Sequence, residues 1–101
     1  FNTTAYTASK HAVMGLTRVL ASEWGHLGIN VNAIAPGWIK TNLSAPLVAD
    51  PERYNSVKAR IPQGDWGTPE VFKGVAVLLA SDAGSYINGV TIPVDGGYLT
   101  K

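Results

Sequence analysis

Apolar and small residues recur at three- and four-residue spacings from Tyr6 to about Leu27. This spacing places them on one face of an α-helix, so the stretch is predicted to be a long amphipathic helix. Two glycines, Gly25 and Gly28, weaken the pattern and then end the helix. The residues of the predicted apolar face are Ala8, Ala12, Leu16, Val19, Leu20 and Trp24.

A strand is predicted directly after this helix, over Ile29–Ala35. Apolar residues alternate there with Asn30 and Asn32 before an apolar end, which is the two-residue period of a β-strand. The Pro36-Gly37 pair then breaks the strand and supplies a turn at which backbone can closely approach a flat ligand.

The middle of the chain is predicted to be a loop or a lid. Trp38–Ala49 has the composition of a loop with some helical character. Asp50-Pro51-Glu52 begins a short helix, because Asp caps a helix N-terminus and proline suits its first turn. That helix is predicted to end near Arg60, since Pro62 cannot continue it.

The last third repeats the helix–strand order. Thr68-Pro69-Glu70 is a second helix start and predicts a helix to about Ser81. Val90–Val94 is predicted to be a short strand, and Asp95-Gly96-Gly97 a tight turn with a structural role. The residues of this helix's predicted apolar stripe are Val71, Val75, Leu78 and Leu79.

The predicted order is helix, strand, lid, helix, strand, which favours an α/β fold with parallel pairing. Two parallel strands do not form a stable sheet alone. Either the strands pair with something outside the chain and repack through oligomerisation, or residues 1–101 are a single partial domain of a larger doubly wound sheet. In both cases the segment at about 38–67 is the candidate lid.

Composition narrows the classes of partner. The chain has 101 residues, is 46% apolar, carries a formal charge of +1 and contains no cysteine. The scattered Lys and Arg disfavour nucleic-acid binding. The longest apolar run, Val75–Ala80, is too short to span a membrane. No metal site is expected from His11 and His26, and with no visible secretion signal a cytoplasmic location is expected.

The candidate chemistry lies in Tyr6-Thr7-Ala8-Ser9-Lys10. A spacing of four puts the phenol and the ammonium on one helix face, where the positive charge of the ammonium favours the phenolate. Such a phenol could exchange protons near neutral pH. Tyr54 and Lys58 have the same spacing but lie in a polar stretch, so that pair is interpreted as a structural helix face.

These residues resemble the C-terminal portion of a short-chain dehydrogenase/reductase. The matching features, in family order, are Tyr6-x-x-x-Lys10, Asn30 to Gly37, Thr41, Trp66 to Glu70, Leu78 to Ser81, Asn88-Gly89, and Val94 to Gly97. The resemblance implies part of a Rossmann-like doubly wound parallel sheet. It also implies hydride transfer between NAD or NADP and an alcohol or ketone. Sugar-acid members, acting on 2-deoxy-gluconate or gluconate, look most similar, and 3-oxoacyl-carrier-protein reductases are the alternative.

The resemblance also implies roles for single residues. Tyr6 would be the catalytic acid/base and Lys10 would bind the nicotinamide ribose, while Pro36 and Gly37 would line the nicotinamide pocket. The other implied roles are carboxamide binding by the backbone of Ile39, carboxamide or phosphate binding by Thr41, and substrate contacts by Trp38 and Asn42. Packing at the base of the lid explains Trp38 equally well.

The family's Gly-rich phosphate loop and catalytic Ser do not occur in these 101 residues. The chain alone is therefore expected to be inactive and to bind no cofactor. A non-catalytic, self-associating module is the second hypothesis, with Ala8, Leu16, Leu20 and Trp24 as its interface. A homo-oligomer is expected under either reading, and a nucleic-acid-binding helical domain is a third hypothesis that the near-neutral charge disfavours.

Overall fold

The computed structural model of the chain describes residues 3–100. Its helices and strands, in chain order, are α1 (Thr4–Trp24), β1 (Ala33–Pro36), α2 (Ala45–Val48), α3 (Pro51–Lys58), α4 (Lys73–Ala80) and β2 (Thr91–Val94). Short 3₁₀ helices cover Gly25–Leu27, Pro69–Phe72, Asp82–Gly84 and Tyr98–Thr100. The predicted order of a long helix, a strand, a second helical region and a second strand is confirmed, and the lid between them stays a prediction.

The two strands pair in a two-stranded sheet. The Ala33 N–H donates to the Val90 carbonyl, and the Gly37 N–H donates to the Val94 carbonyl. Both partners advance by four residues between these bonds, so the strands run parallel. The predicted α/β class with parallel pairing is therefore confirmed.

The chain packs as two compact units. Unit 1 contains the residues up to Ile34 together with Val77–Ile92. Unit 2 contains Ala35–Ala76 together with the residues from Pro93 onward. This division concerns packing within the chain, and the expectation of a single partial domain stays a prediction.

In unit 1, helix α1 ends at its glycines. The α-helix stops at Trp24, before the predicted end at Leu27, and continues as the 3₁₀ turn Gly25–Leu27. Gly28 follows with a φ of 78°, in the left-handed region that glycine adopts without steric cost. The sequence thus predicted the cap correctly, and the difference lies in the type of the last turn.

The predicted strand Ile29–Ala35 was too long, because asparagine side chains hold its first half. The amides of Asn30 and Asn32 donate to carbonyls of the opposite loop at 2.9 and 3.0 Å. Asn88 Oδ1 accepts a backbone N–H of this lead-in at 2.8 Å. Side-chain bonds of this kind compete with the strand ladder, so regular pairing begins only at Ala33.

In unit 2, the predicted start of α3 is confirmed. The Oδ1 atom of Asp50 accepts the backbone N–H groups of Glu52 and Arg53 at 3.1 and 3.4 Å. Pro51 occupies the first helical position, where its missing N–H costs nothing. The predicted helix from Thr68 is more irregular, since its first turn is 3₁₀ over Pro69–Phe72 and becomes α-helical only in α4.

The buried core within residues 3–100 is small. Its apolar members are Ala21 in unit 1 and Ile61 and Trp66 in unit 2. Several large apolar side chains of α1 are instead half exposed, including Leu16 at 56% and Val19 at 52%. A stable domain usually buries more apolar surface than this. The small core therefore agrees with the prediction that the chain needs a further surface to pack against.

Candidate active site

Tyr6 and Lys10 lie one turn apart on α1, within unit 1. The Lys10 Nζ atom is 5.2 Å from the centroid of the Tyr6 ring. The tyrosine is 64% exposed, and its hydroxyl makes no hydrogen bond to another residue among 3–100. The prediction that the two side chains share a helix face is confirmed. A free phenol beside an ammonium is able to exchange a proton with a bound molecule.

Pro36 and Gly37 lie in unit 2 at the end of β1. The Gly37 N–H donates to the Val94 carbonyl at 3.0 Å. A Cβ atom on Gly37 would lie only 2.6 Å from Cβ and 2.7 Å from Cα of Asp95. The missing side chain therefore admits the Asp95 turn, a close approach within the chain that the sequence did not indicate.

Ile39 presents its backbone in a way that suits a ligand amide. Gly67 forms both bonds of a parallel bridge here, donating to the Trp38 carbonyl and accepting from the Lys40 N–H, each at 2.9 Å. In a parallel bridge the intervening residue directs its own N–H and C=O away from that partner. The Ile39 carbonyl accepts the Ser44 hydroxyl at 2.6 Å. The Ile39 N–H points to the same side and is available to an acceptor.

Thr41 is held by the same serine. The Ser44 Oγ atom accepts the Thr41 N–H at 2.9 Å, and the Thr41 hydroxyl oxygen accepts the Ser44 N–H at 3.4 Å. A hydroxyl that accepts one bond can still donate its proton to a ligand. Ser44 thus orders the 39–41 segment, a role that the sequence reading missed. The available signal was the Thr-x-x-Ser spacing, at which each hydroxyl can accept the backbone N–H of the other residue.

Trp38 packs into an aromatic cluster of unit 2. Its ring meets those of Trp66 and Tyr98 edge-on, with centroids 5.6 and 6.2 Å apart. The tryptophan also lines a cavity of about 550 Å³ together with Ile39 and Gly67. Asn42 lines a separate cavity together with Thr41. The structure therefore brings Trp38 together with the cofactor candidate Ile39, and Asn42 together with the cofactor candidate Thr41.

The donor set fits part of a nicotinamide cofactor. The free N–H of Ile39 and the hydroxyl of Thr41 are hydrogen-bond donors of the kind a carboxamide oxygen accepts. A phosphate-binding Gly-rich loop is absent from the 101 residues. The residues of unit 2 therefore fit the nicotinamide end alone. Within residues 3–100 the structure shows neither a cluster of metal-ligating side chains nor a helix with the length and apolarity to cross a membrane.

Nearly the whole chain is similar to proteins of one family. The family model described as enoyl-(acyl carrier protein) reductase matches residues 1–99. The 2-dehydro-3-deoxy-D-gluconate 5-dehydrogenase of Dickeya dadantii (strain 3937) is 56% identical over 97 residues, covering 96% of this chain and 38% of that protein. The enzyme of the same name from Escherichia coli (strain K12) is 53% identical over 97 residues, with the same coverage of 96% and 38%.

The solved structures include a gluconate 5-dehydrogenase from Burkholderia cenocepacia J2315 in complex with NADP and tartrate. It superimposes with a TM-score of 0.92 at 38% identity, covering 97% of this chain and 38% of that one. The chain thus spans less than two fifths of the length of these relatives. The family model matches residues 1–99, and the Dickeya dadantii enzyme is 56% identical over 97 residues. The chain therefore belongs to the short-chain dehydrogenase/reductase family.

Proposed function

We propose that the full-length protein interconverts a secondary alcohol and a ketone on a sugar acid, using NAD or NADP. The observation that carries this proposal is the exposed Tyr6 hydroxyl beside the Lys10 ammonium, in the family's own motif spacing. The relatives named for 2-dehydro-3-deoxy-D-gluconate and gluconate support the substrate class.

Each candidate residue has a distinct task in this proposal. The Tyr6 hydroxyl donates a proton to the substrate oxygen during reduction and accepts it during oxidation. Lys10 binds the ribose hydroxyls, and its charge stabilises the oxygen that gains negative character. The bound nicotinamide supplies or accepts the hydride.

The family resemblance supports further roles for residues of unit 2. Pro36 and Gly37 form a wall of the nicotinamide pocket, and the Ile39 N–H and Thr41 hydroxyl hold the carboxamide. Trp38 and Asn42 contact the substrate, within a lid at about 38–67. The opening of this lid admits substrate and its closure excludes water.

The substitution Tyr6→Phe in the full-length protein tests the proton-transfer role. Turnover is expected to fall by roughly 10² to 10⁴, the usual contribution of a positioned acid or base. Tyr86→Phe is the matched control, because Tyr86 is fully exposed at 101% and is expected to leave turnover unchanged. A Tyr6→Phe enzyme with more than a tenth of the normal rate contradicts the role given to Tyr6.

A substrate panel tests the reaction class. Purified full-length protein is assayed by nicotinamide absorbance with 2-dehydro-3-deoxy-D-gluconate, gluconate and a 3-oxoacyl thioester, each with both cofactors. We expect the highest kcat/KM with a sugar acid. A preference for the thioester instead supports the 3-oxoacyl-carrier-protein reductase alternative. The 101 residues alone are expected to show neither turnover nor cofactor binding, since they contain no phosphate loop.

Self-association is a second candidate property, favoured by the exposed apolar side chains of α1. Val13, Leu16 and Trp24 are 52%, 56% and 40% exposed, and their spacing places them along one stripe of the helix. A stripe of this kind is usually covered by a second surface. Self-association is tested by measuring the mass of the wild-type protein and of the Leu16→Glu variant by light scattering. The charged variant is expected to lower the oligomer mass, and a monomeric wild type at high concentration defeats the idea.

A further inference from the structure

The second Tyr-x-x-x-Lys pair, Tyr54 and Lys58 on α3, does not form a free helix face. The Tyr54 hydroxyl donates to Oδ1 of Asp65 at 2.6 Å. Lys58 Nζ lies 4.0 Å from the other oxygen of the same carboxylate. Both members of the pair therefore reach one acidic residue in the turn that follows the helix.

The ring of Tyr54 is fixed as well as its hydroxyl. It stacks on Trp66 with centroids 5.5 Å apart and an interplanar angle of 4°. The Trp66 Nε1 atom donates to the Tyr54 carbonyl at 3.1 Å. Since Trp66 is only 5% exposed, these contacts attach α3 to the best buried aromatic side chain of unit 2.

The Asp65 turn also contacts the candidate site, at the Trp38–Lys40 segment. Asp65 Oδ1 also accepts the Trp66 N–H at 2.7 Å, and the next residue, Gly67, forms the bridge to Trp38 and Lys40. Contacts therefore run without interruption from Tyr54, through the turn, to the 38–40 segment.

Helix α3 makes two contacts with Asp65, and the hydrogen bond from Tyr54 contributes more than the ion pair from Lys58. The carboxylate faces two lysines, Lys40 and Lys58, and the Lys58 and Asp65 side chains are 43% and 50% exposed. An exposed ion pair at 4.0 Å contributes little. The hydrogen bonds from the Tyr54 hydroxyl and the Trp66 N–H hold the pKa of Asp65 below its usual range, so it remains an acceptor at neutral pH.

We propose that Tyr54 is a positioning residue whose hydroxyl latches α3, which lies within the lid, to the Asp65 turn at the end of the lid. The latch sets how readily α3 moves to open the lid for substrate. This inference rests on the proposed function for its link to substrate, and on the contacts of unit 2 for the latch itself. The hydroxyl touches neither cofactor nor substrate in this proposal, so its loss changes lid opening and leaves proton transfer by Tyr6 intact.

The test is Tyr54→Phe in the full-length protein, because phenylalanine keeps the stack on Trp66 and removes only the hydroxyl. Hydrogen exchange of the α3 amides is expected to accelerate about two- to tenfold, the range that corresponds to one lost hydrogen bond. The KM for the sugar acid is expected to rise by a similar factor, while the single-turnover rate at saturating substrate stays within about twofold of wild type.

Three controls separate a latch from a general loss of structure. Lys58→Met removes the weak ion pair and is expected to change exchange less than about twofold. Asp65→Asn keeps an acceptor oxygen for the Tyr54 hydroxyl, so it is expected to preserve α3 protection better than Asp65→Ala. Exchange in α1 is expected to be unchanged in every variant, since that helix belongs to unit 1.

Unchanged α3 exchange in Tyr54→Phe overturns the latch. Faster exchange with an unchanged KM overturns its link to substrate. If the wild-type protein turns over none of the tested substrates, the proposed function fails, and the exchange experiment still decides whether the latch exists.

Discussion

Replacing Trp66 measures how much the stability of unit 2 depends on its buried tryptophan. Trp66 is 5% exposed, stacks on Tyr54 at 5.5 Å and meets Trp38 edge-on at 5.6 Å. A buried tryptophan removes about 150–250 Å² from water. At about 25 cal/mol per Å² this is roughly 4–6 kcal/mol, before correction for the compact unfolded chain.

The correction for residual burial in the unfolded chain lowers this figure to about 3–5 kcal/mol, which agrees with measured losses on truncating buried tryptophans. We therefore expect Trp66→Ala to reduce the free energy of unfolding by that amount. Trp66→Phe keeps most of the stacking surface and loses the Nε1 bond to the Tyr54 carbonyl, so its cost is expected to be about 1–2 kcal/mol.

Urea unfolding of the full-length protein, followed by far-UV circular dichroism, gives these free energies from the midpoint and slope. Leu43→Ala is the control, because Leu43 is 94% exposed and its truncation is expected to cost less than about 0.5 kcal/mol. A Trp66→Ala protein as stable as the Leu43→Ala control refutes the claim that Trp66 organises the core of unit 2.

Three further predictions follow from local contacts. Asp50→Ala removes the acceptor of two α3 amides and is expected to cost about 1 kcal/mol in thermal or urea unfolding. Gly37→Ala forces a Cβ to within 2.6 Å of Asp95 and is expected to cost about 1–3 kcal/mol, whereas Gly15→Ala, with open space around it in α1, is expected to stabilise by up to about 1 kcal/mol. Equal effects of the two glycine variants contradict this packing. The tyrosine hydroxyl and backbone N–H on Asp65 lower its folded pKa, so the part of the α3 protection that the charged acceptor adds is expected to be complete above about pH 3.9. This part decreases as the pH falls through the lowered folded pKa of Asp65. Hydrogen exchange measured from pH 7 down to 3 checks this, and α3 protection that does not fall as the carboxylate is protonated contradicts it.

The sequence was a reliable guide wherever one local rule acted alone. Asp50 before Pro51 predicted a helix start, and the Asp50 carboxylate caps that helix. The glycine after the long helix predicted its end, and Gly28 adopts the left-handed conformation there. In each case the deciding interaction joins residues that are close along the chain, so local sequence rules are sufficient to predict it.

The sequence was a poor guide wherever distant residues decided the outcome. The side chain of Asn88 reaches the start of the predicted strand across 57 positions, and this bond shortens the strand. The space that Gly37 leaves is occupied by Asp95, which belongs to a turn near the other end of the sequence. Alternation of polar and apolar residues cannot distinguish an asparagine that faces solvent from one that replaces a ladder bond.

The two Tyr-x-x-x-Lys pairs show why spacing alone does not define a catalytic site. Both place an ammonium near a phenol ring, at 5.2 Å for Lys10 and 5.9 Å for Lys58. The Tyr54 hydroxyl donates a hydrogen bond to the Asp65 carboxylate, so its proton is not available to a substrate. The Tyr6 hydroxyl is bound by no other residue in the described part of the chain, and it is exposed. Availability of the proton therefore separates the two tyrosines, and it favours the proposed acid–base role for Tyr6 and the proposed positioning role for Tyr54.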